Sequence, residues 1–82
     1  MKVRYTSKAL AQLDEIFAFI EAENPAAALS VMKRIRRSIE QLAKFPYRCR
    51  ASELPGVRVL SIVRFPYLVF YQVDEAAREI QI

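Results

Sequence analysis

Apolar residues in the first part of the chain recur at helical spacing after a short alternating stretch. Lys2–Thr6 alternates charged with apolar residues, a period of two that predicts a strand. Thr6 can then cap a helix through its side-chain oxygen. Steps of three and four follow at Leu10, Leu13, Ile16, Phe17 and Ile20. The pattern predicts an amphipathic first helix that ends before Pro25, because proline disfavours helical geometry in the preceding residue.

A second helix is predicted directly after this break. Asn24 is a good N-cap and Pro25 a good first helical residue. Its apolar positions lie again at steps of three and four, namely Ala28, Met32, Ile35, Ile39 and Leu42. Since the two helices are joined by a very short connection, they should form an antiparallel hairpin. The second helix ends at the aromatic and proline residues 45–47.

The last part of the chain has the composition of strands. Arg48–Gly56 contains a proline and the only glycine, so it is predicted to be a loop. Val57–Val63 and Tyr67–Val73 are rich in β-branched and aromatic residues, and a turn at 74–77 separates them from a short strand at Arg78–Ile82. These segments predict a three-stranded meander. The full order predicts an α+β fold, with the helix hairpin packed on a small antiparallel-rich sheet.

Length and composition limit the kinds of protein that this chain can be. Its 82 residues are enough for one domain, 1–82. No apolar run approaches the roughly 18 residues of a membrane span, and no signal peptide is recognisable, so we expect a cytoplasmic protein without membrane contact. The single cysteine, Cys49, cannot form an internal disulfide, and histidine is absent. We therefore expect neither a metal site nor a cofactor.

Positive charge is concentrated on the second predicted helix. The chain carries a net charge of +4. Within residues 24–44 the basic residues are Lys33, Arg34, Arg36, Arg37 and Lys44, with Glu40 as the only acid. The net charge of this segment therefore equals the net charge of the whole chain. The stripe could pair with phosphates or with the carboxylates of an acidic partner, or it could simply be a solvated helix face.

Arginines and tyrosines of the hairpin are further candidates for function. The arginines are Arg48, Arg50, Arg58 and Arg64. Because the positions of Arg58 and Arg64 differ by an even number, their side chains should point to the same side and could flank one surface. Alternatively, they could be solvated at the sheet edge and ion-paired with Glu53 or Glu79. Tyr67 and Tyr71 also share a face. They could stack on bases or partner side chains, or they could belong to the core, because either their face or that of Leu68 and Phe70 must meet the helices.

Four stretches of the sequence together resemble a known protein family. They are Y-T-S-K-A-L (5–10), N-P-A-A-A (24–28), K-F-P (44–46) and V-R-V-L-S-I-V-R-F-P-Y-L-V-F-Y-Q-V (57–73). The chain resembles the ParE/RelE superfamily of bacterial toxins over essentially its whole length. The last stretch, an arginine strand, a tight turn and Tyr-x-x-x-Tyr, is more similar to ParE-type toxins than to RelE-type ribonucleases.

The resemblance implies the toxin of a type II toxin–antitoxin (plasmid stabilisation) system. Such a toxin acts on an essential target, DNA gyrase for ParE-like members, and is neutralised by an antitoxin that wraps it and binds operator DNA through its own N-terminal domain. A homodimer is plausible when the antitoxin is absent. The predicted partner-binding residues are Lys33, Arg34, Arg37, Lys44, Arg48, Arg50, Tyr67 and Tyr71.

Two alternatives to a gyrase inhibitor stay open. The first is a RelE-like endonuclease that cleaves messenger RNA on the ribosome, in which Arg64 and Arg58 would stabilise the scissile phosphate. Only the cations for that reaction are evident in the sequence, because histidine is absent and arginine is a poor base, so we favour a binding inhibitor over an enzyme. The second is a non-toxic remnant that still binds an antitoxin, since superfamily members run on beyond their last strand and this chain stops at Ile82.

Overall fold

Two helices and five strands make up the computed structural model, which describes all of residues 1–82. The elements are β1 (Lys2–Arg4), α1 (Ser7–Glu21), α2 (Pro25–Lys44), β2 (Arg50–Ala51), β3 (Arg58–Ser61), β4 (Leu68–Asp74) and β5 (Glu79–Gln81). The strands form one sheet in the order β1-β5-β4-β3-β2. β1 pairs with β5 in parallel and all other neighbours are antiparallel. The predicted α+β fold with a helix hairpin on an antiparallel-rich sheet is confirmed.

Both helices begin at the caps that the sequence predicts. The Thr6 hydroxyl accepts a hydrogen bond from the Ala9 N–H at 3.1 Å. The Asn24 Oδ1 accepts one from the Ala27 N–H at 3.0 Å, with Pro25 following at the first position of α2. Each cap satisfies a main-chain donor that has no partner inside its helix. The caps therefore fix the short connection that reverses the chain between α1 and α2.

The loop predicted at Arg48–Gly56 contains strand β2, so that prediction was wrong in part. Arg50 lies opposite Val59 in an antiparallel pair with β3. The Ser52 N–H also donates to the Val57 carbonyl at 2.8 Å. A strand of two residues is too short to show an alternating pattern in the sequence. β2 is formed only through its pairing with β3. The predicted three-stranded meander is consequently a four-stranded antiparallel unit, β2 to β5.

The hydrophobic core lies between α2 and the sheet. Its fully buried residues are Ala28, Val31, Ile35, Ile39 and Leu42 from α2, and Val59, Ile62, Val69, Tyr71 and Ile80 from the strands and their connections. Each large aliphatic side chain buried in this way contributes about 1.5–3 kcal/mol of transfer free energy. Helix α1 has no fully buried residue, and Leu13, Ile16 and Ile20 pack against the core only partly. The core is therefore built on α2, with α1 lying beside it.

Tyr71 anchors the segment after α2 to the sheet. Its side chain is 1% exposed and packs with Leu42 and Ile80. The Tyr71 hydroxyl donates a hydrogen bond to the Pro46 carbonyl at 2.9 Å. The buried Val69 lies two residues before Tyr71, on the same face of β4. This face meets the helices, and Tyr71 is consequently a core residue with no surface to offer a partner.

We expect the stability of the fold to depend on Tyr71 at alkaline pH. Burial, and then the contact with Cys49, raises the pKa of Tyr71 to about 12. An unfolded tyrosine has a pKa of about 10, so the stability that the protonated hydroxyl contributes is complete below that pH and is lost as the pH rises through the folded-state value. Between these two values, the free energy of unfolding measured in urea should fall more steeply for the natural chain than for Tyr71→Phe. Equal slopes would contradict this role.

Candidate functional site

An apolar groove runs along the helix hairpin, and we call it the hairpin groove. It has a volume of about 940 Å³ and lies between α1, α2 and β1. Its apolar lining consists of Val3, Tyr5, Leu10, Leu13, Phe17, Leu29, Met32, Ile35 and Ile39. Its charged lining consists of Asp14, Lys33, Arg36 and Glu40. The combination of an apolar floor and a charged rim is typical of a surface that receives an amphipathic segment.

The groove exists because the apolar faces of α1 and α2 are wider than the area over which the two helices contact each other. Leu10 on α1 is 50% exposed and Leu29 on α2 is 56% exposed. Helix α1 packs on one side of α2 and leaves part of the apolar face of both helices without a cover. Large apolar side chains grouped on one surface in this way mark an interaction site in a soluble domain.

The predicted basic stripe divides between the groove and the open surface. Lys33 lines the groove, whereas Arg34, Arg37 and Lys44 are exposed and do not line it. Arg36 lines the groove as well, although it was not among the partner-binding residues predicted from the sequence. The signal was available, because residues three apart on a helix lie on the same side and Lys33 was already selected. A partner in the groove would therefore meet two cations and the carboxylates of Asp14 and Glu40 directly, and the other cations only across its rim.

Tyr5 lies on the floor of the hairpin groove, although it was not among the predicted partner-binding residues. Burial raises the pKa of its hydroxyl, while nearby Arg36 lowers it and Glu40 raises it. The net rise keeps Tyr5 neutral at ordinary pH. Its hydroxyl can therefore serve a partner as an uncharged hydrogen-bond donor beside an otherwise apolar surface.

A polar cluster outside the hairpin groove joins the segment after α2 to the sheet. Arg58 donates a hydrogen bond to the Cys49 carbonyl at 2.7 Å. Its guanidinium carbon also lies over the Tyr47 ring, 5.0 Å from the centroid. The Tyr47 hydroxyl donates to the Glu75 carboxylate, and this hydrogen bond raises the pKa of Tyr47. The cation of Arg58 is therefore already engaged by its own loop.

The ion pairs considered for the hairpin arginines do not form. The salt bridge of the structure joins Arg4 to Glu79 at 3.8 Å, and neither Glu53 nor Glu79 pairs with Arg58 or Arg64. Arg58 instead has the cation–π and main-chain contacts of its loop.

The prediction that Arg58 and Arg64 share one side of a strand was wrong. Strand β3 begins at Arg58 and ends at Ser61, so the alternation of a strand does not reach Arg64. Arg64 lies exposed in the turn before β4 with a φ of 74°. This turn is closed by a hydrogen bond from the Phe65 N–H to the Ile62 carbonyl at 3.3 Å. Arg58 therefore lies at the start of β3, whereas Arg64 lies in the turn beyond its end.

The remaining predicted residues lie apart from the hairpin groove. Arg48 and Arg50 are exposed around β2, and Tyr67 is half-buried against the core. Cys49 is a free, partly buried thiol. The structure contains no group of three or more side chains suited to hold a metal ion, and none of its helices is both long and apolar enough to cross a membrane.

Comparison with known proteins gives the family. Residues 3–82 match the family described as "ParE toxin of type II toxin-antitoxin system, parDE". A protein of Sinorhizobium fredii (strain NBRC 101917 / NGR234), Y4kP, named as a candidate toxin, is 36% identical over 73 residues, which cover 89% of this chain and 76% of the relative. A solved structure of the chromosomal ParDE toxin–antitoxin system from P. aeruginosa superposes with a TM-score of 0.87 at 33% identity, covering 100% of this chain and 89% of that one. With its sheet order, helix hairpin and hairpin groove, the chain belongs to the ParE toxin family of type II toxin–antitoxin systems.

Proposed function

We propose that this ParE-type toxin arrests bacterial growth by binding and inhibiting an essential cytoplasmic enzyme such as DNA gyrase. We also propose that it is neutralised when the cognate antitoxin occupies the hairpin groove, as in plasmid stabilisation systems, and that operator DNA is reached only through the antitoxin. The observation that carries this proposal is the groove itself, an apolar surface that the toxin leaves uncovered. An exposed apolar surface of this kind would also favour a homodimer of the free toxin.

The dimensions and charges of the groove favour one kind of antitoxin segment. From Leu29 to Glu40 the groove follows α2 for roughly 16 Å, which is the length of about three helical turns. An amphipathic helix of that length could place its apolar side against Leu29 and Met32. Asp14 and Glu40 balance Lys33 and Arg36 within the groove, so acidic residues on the flanks of the segment would be favoured mainly by the exposed Arg34 and Arg37 across the rim. The antitoxin segment should therefore be acidic, amphipathic and short.

The engagement of Arg58 favours a binding inhibitor over a ribonuclease. Cleavage of RNA requires a base for the 2′-hydroxyl, an acid for the leaving oxygen and cations around the phosphate. Arg58 is held by the Cys49 carbonyl and the Tyr47 ring at the start of β3, whereas Arg64 lies in the turn beyond that strand. The hydrogen bond to Glu75 raises the pKa of Tyr47, so at neutral pH its hydroxyl stays protonated and cannot take up the 2′-hydroxyl proton. The arrangement supplies cations without an evident proton acceptor.

Apolar contact in the groove should supply most of the affinity for the antitoxin. We expect Leu29→Asp to weaken antitoxin binding by at least about 30-fold in titration calorimetry, since a buried interface anchor commonly contributes about 2 kcal/mol or more. Val63→Asp is the matched control, because Val63 is similarly exposed at 62% and lies outside the groove. Equal losses in both variants would contradict a specific role for the groove.

The basic stripe should act on the rate of association more than on the lifetime of the complex. Arg34 and Arg37 are exposed, and a charge at the rim of an interface mainly steers encounter. We expect the double substitution Arg34→Glu, Arg37→Glu to slow antitoxin association about tenfold at low salt, with a smaller effect at high salt. Stopped-flow kinetics at two salt concentrations measure this. Unchanged rates and affinity would exclude the stripe from the interface.

Induction of the chain in bacteria should distinguish the candidate targets. We expect growth arrest accompanied by DNA breakage that a gyrase variant relieves, with messenger RNA intact. Ribosome-dependent cuts in messenger RNA would instead support the endonuclease, and substitution of Arg58 and Arg64 would then test it. Co-expression of the antitoxin should abolish arrest. A chain that binds antitoxin without arresting growth would be a non-toxic remnant.

A further inference from the structure

The segment that reaches from the end of α2 to the start of β2 has aromatic and basic side chains interspersed. Its sequence is K-F-P-Y-R-C-R (44–50), with three cations and no acid. Phe45 and Tyr47 are 54% and 51% exposed, and the three cations are exposed as well. We call the set Lys44, Phe45, Tyr47, Arg48 and Arg50 the aromatic–basic surface. None of these residues lines the hairpin groove, so the surface is separate from that groove.

The Tyr47 ring is held in place although it is half exposed. The Arg58 guanidinium carbon lies over the ring, 5.0 Å from its centroid, and Arg58 is itself fixed by its hydrogen bond to the Cys49 carbonyl. The Tyr47 hydroxyl donates to the Glu75 carboxylate. The ring is thus supported on one face and tied at its hydroxyl. Because it is already ordered, a flat group that covers its exposed part costs little side-chain entropy.

The cations of the aromatic–basic surface have no partner within the chain. The salt bridge of the structure joins Arg4 to Glu79. None of the side chains of Lys44, Arg48 and Arg50 donates a hydrogen bond to another residue. Three extended residues span at most about 11 Å, so both arginines begin within that distance of the Tyr47 Cα. Forked guanidinium donors match the oxygens of a phosphate.

We propose that the aromatic–basic surface binds single-stranded nucleic acid without reading its sequence. Bases stack on Tyr47 and Phe45, and the phosphates between them pair with Arg48, Arg50 and Lys44. Every base has a flat π-face, so such stacking tolerates any sequence. The inference goes beyond the proposed function, because it assigns a second kind of ligand to a surface apart from the hairpin groove. It concerns binding to single strands, with no cleavage and no contact to operator duplex.

The combination of rings and cations selects a single strand over other polyanions. In a duplex the bases stack on one another and offer only their edges and phosphates to a protein. The carboxylates of an acidic peptide would pair with the cations and gain nothing from the rings, whose faces carry negative partial charge. The surface includes no carboxylate or amide side chain to accept a hydrogen bond from a 2′-hydroxyl. DNA and RNA single strands should therefore bind with similar affinity.

Fluorescence anisotropy with labelled oligothymidylate and oligouridylate of about 12 nucleotides tests the stacking. We expect Tyr47→Leu to weaken binding at least about fivefold, the effect of losing one stacked base. Tyr47→Phe keeps the ring and should bind within about twofold of the natural chain. Phe19→Leu is the matched control, because Phe19 is 81% exposed on α1, and it should bind unchanged. If Tyr47→Leu fails to fold, Phe45→Leu gives the same test at a ring without polar contacts.

The salt dependence of binding tests the phosphate contacts. Each phosphate contact to a single strand contributes about 0.7 to the slope of log affinity against log salt. The double substitution Arg48→Gln, Arg50→Gln should therefore reduce this slope by about 1.4. Its control is Arg34→Gln, Arg37→Gln, which removes the same charge from α2 and should leave the slope unchanged. Equal reductions in both pairs would mean that only the net charge matters, and would overturn the site.

Competing ligands decide between the proposal and its alternatives. A duplex that binds as tightly as the single strands would overturn stacking. Polyglutamate of equal charge that binds as tightly would assign the surface to an acidic protein. RNA bound more than about tenfold tighter than DNA would indicate a 2′-hydroxyl contact and overturn the proposed mode of binding. No binding at a protein concentration of about 0.1 mM, the weak limit of non-specific binding, would overturn the proposal outright.

Discussion

The packing of α2 on the sheet is the contact on which the rest of the structure depends. Val31, Ile35 and Ile39 lie on one side of the helix and are buried in one cluster with Val69 of the central strand. Leu42 is buried in a second cluster with Tyr71. No other element contributes as many buried side chains. Because a chain of this length can bury only one small core, the face of α2 that meets the sheet determines which surfaces stay free.

Helix α1 is available for binding because the core buries its side chains only in part. Thr6 caps the N-terminus of this helix, and the chain reverses at Asn24, which caps α2. None of the residues of α1 is completely buried. The protein thus keeps an apolar wall on each side of α1, one facing α2 and one facing β4. The proposed antitoxin contact in the hairpin groove uses this helix.

The polar contacts after α2 serve the architecture more than they serve chemistry. Tyr71 holds the Pro46 carbonyl, and Arg58 holds the Cys49 carbonyl while lying over Tyr47. These contacts fix the chain between α2 and β3, where β2 then pairs. Arg58, which the sequence offered as a candidate for phosphate binding, is therefore occupied in keeping this connection in place.

The sequence by itself determined the two helices, their caps, the strands around the central hairpin and the family. These features follow from local periodicity and from single residues such as Asn24 and Pro25, whose effects extend over a few neighbours. Tertiary structure alone decided β2, the burial of Tyr71, the separation of Arg58 from Arg64, and the presence of Tyr5 and Arg36 in the groove. Each of these features depends on which strand or helix packs alongside, and the pattern of residues along the chain does not specify that neighbour.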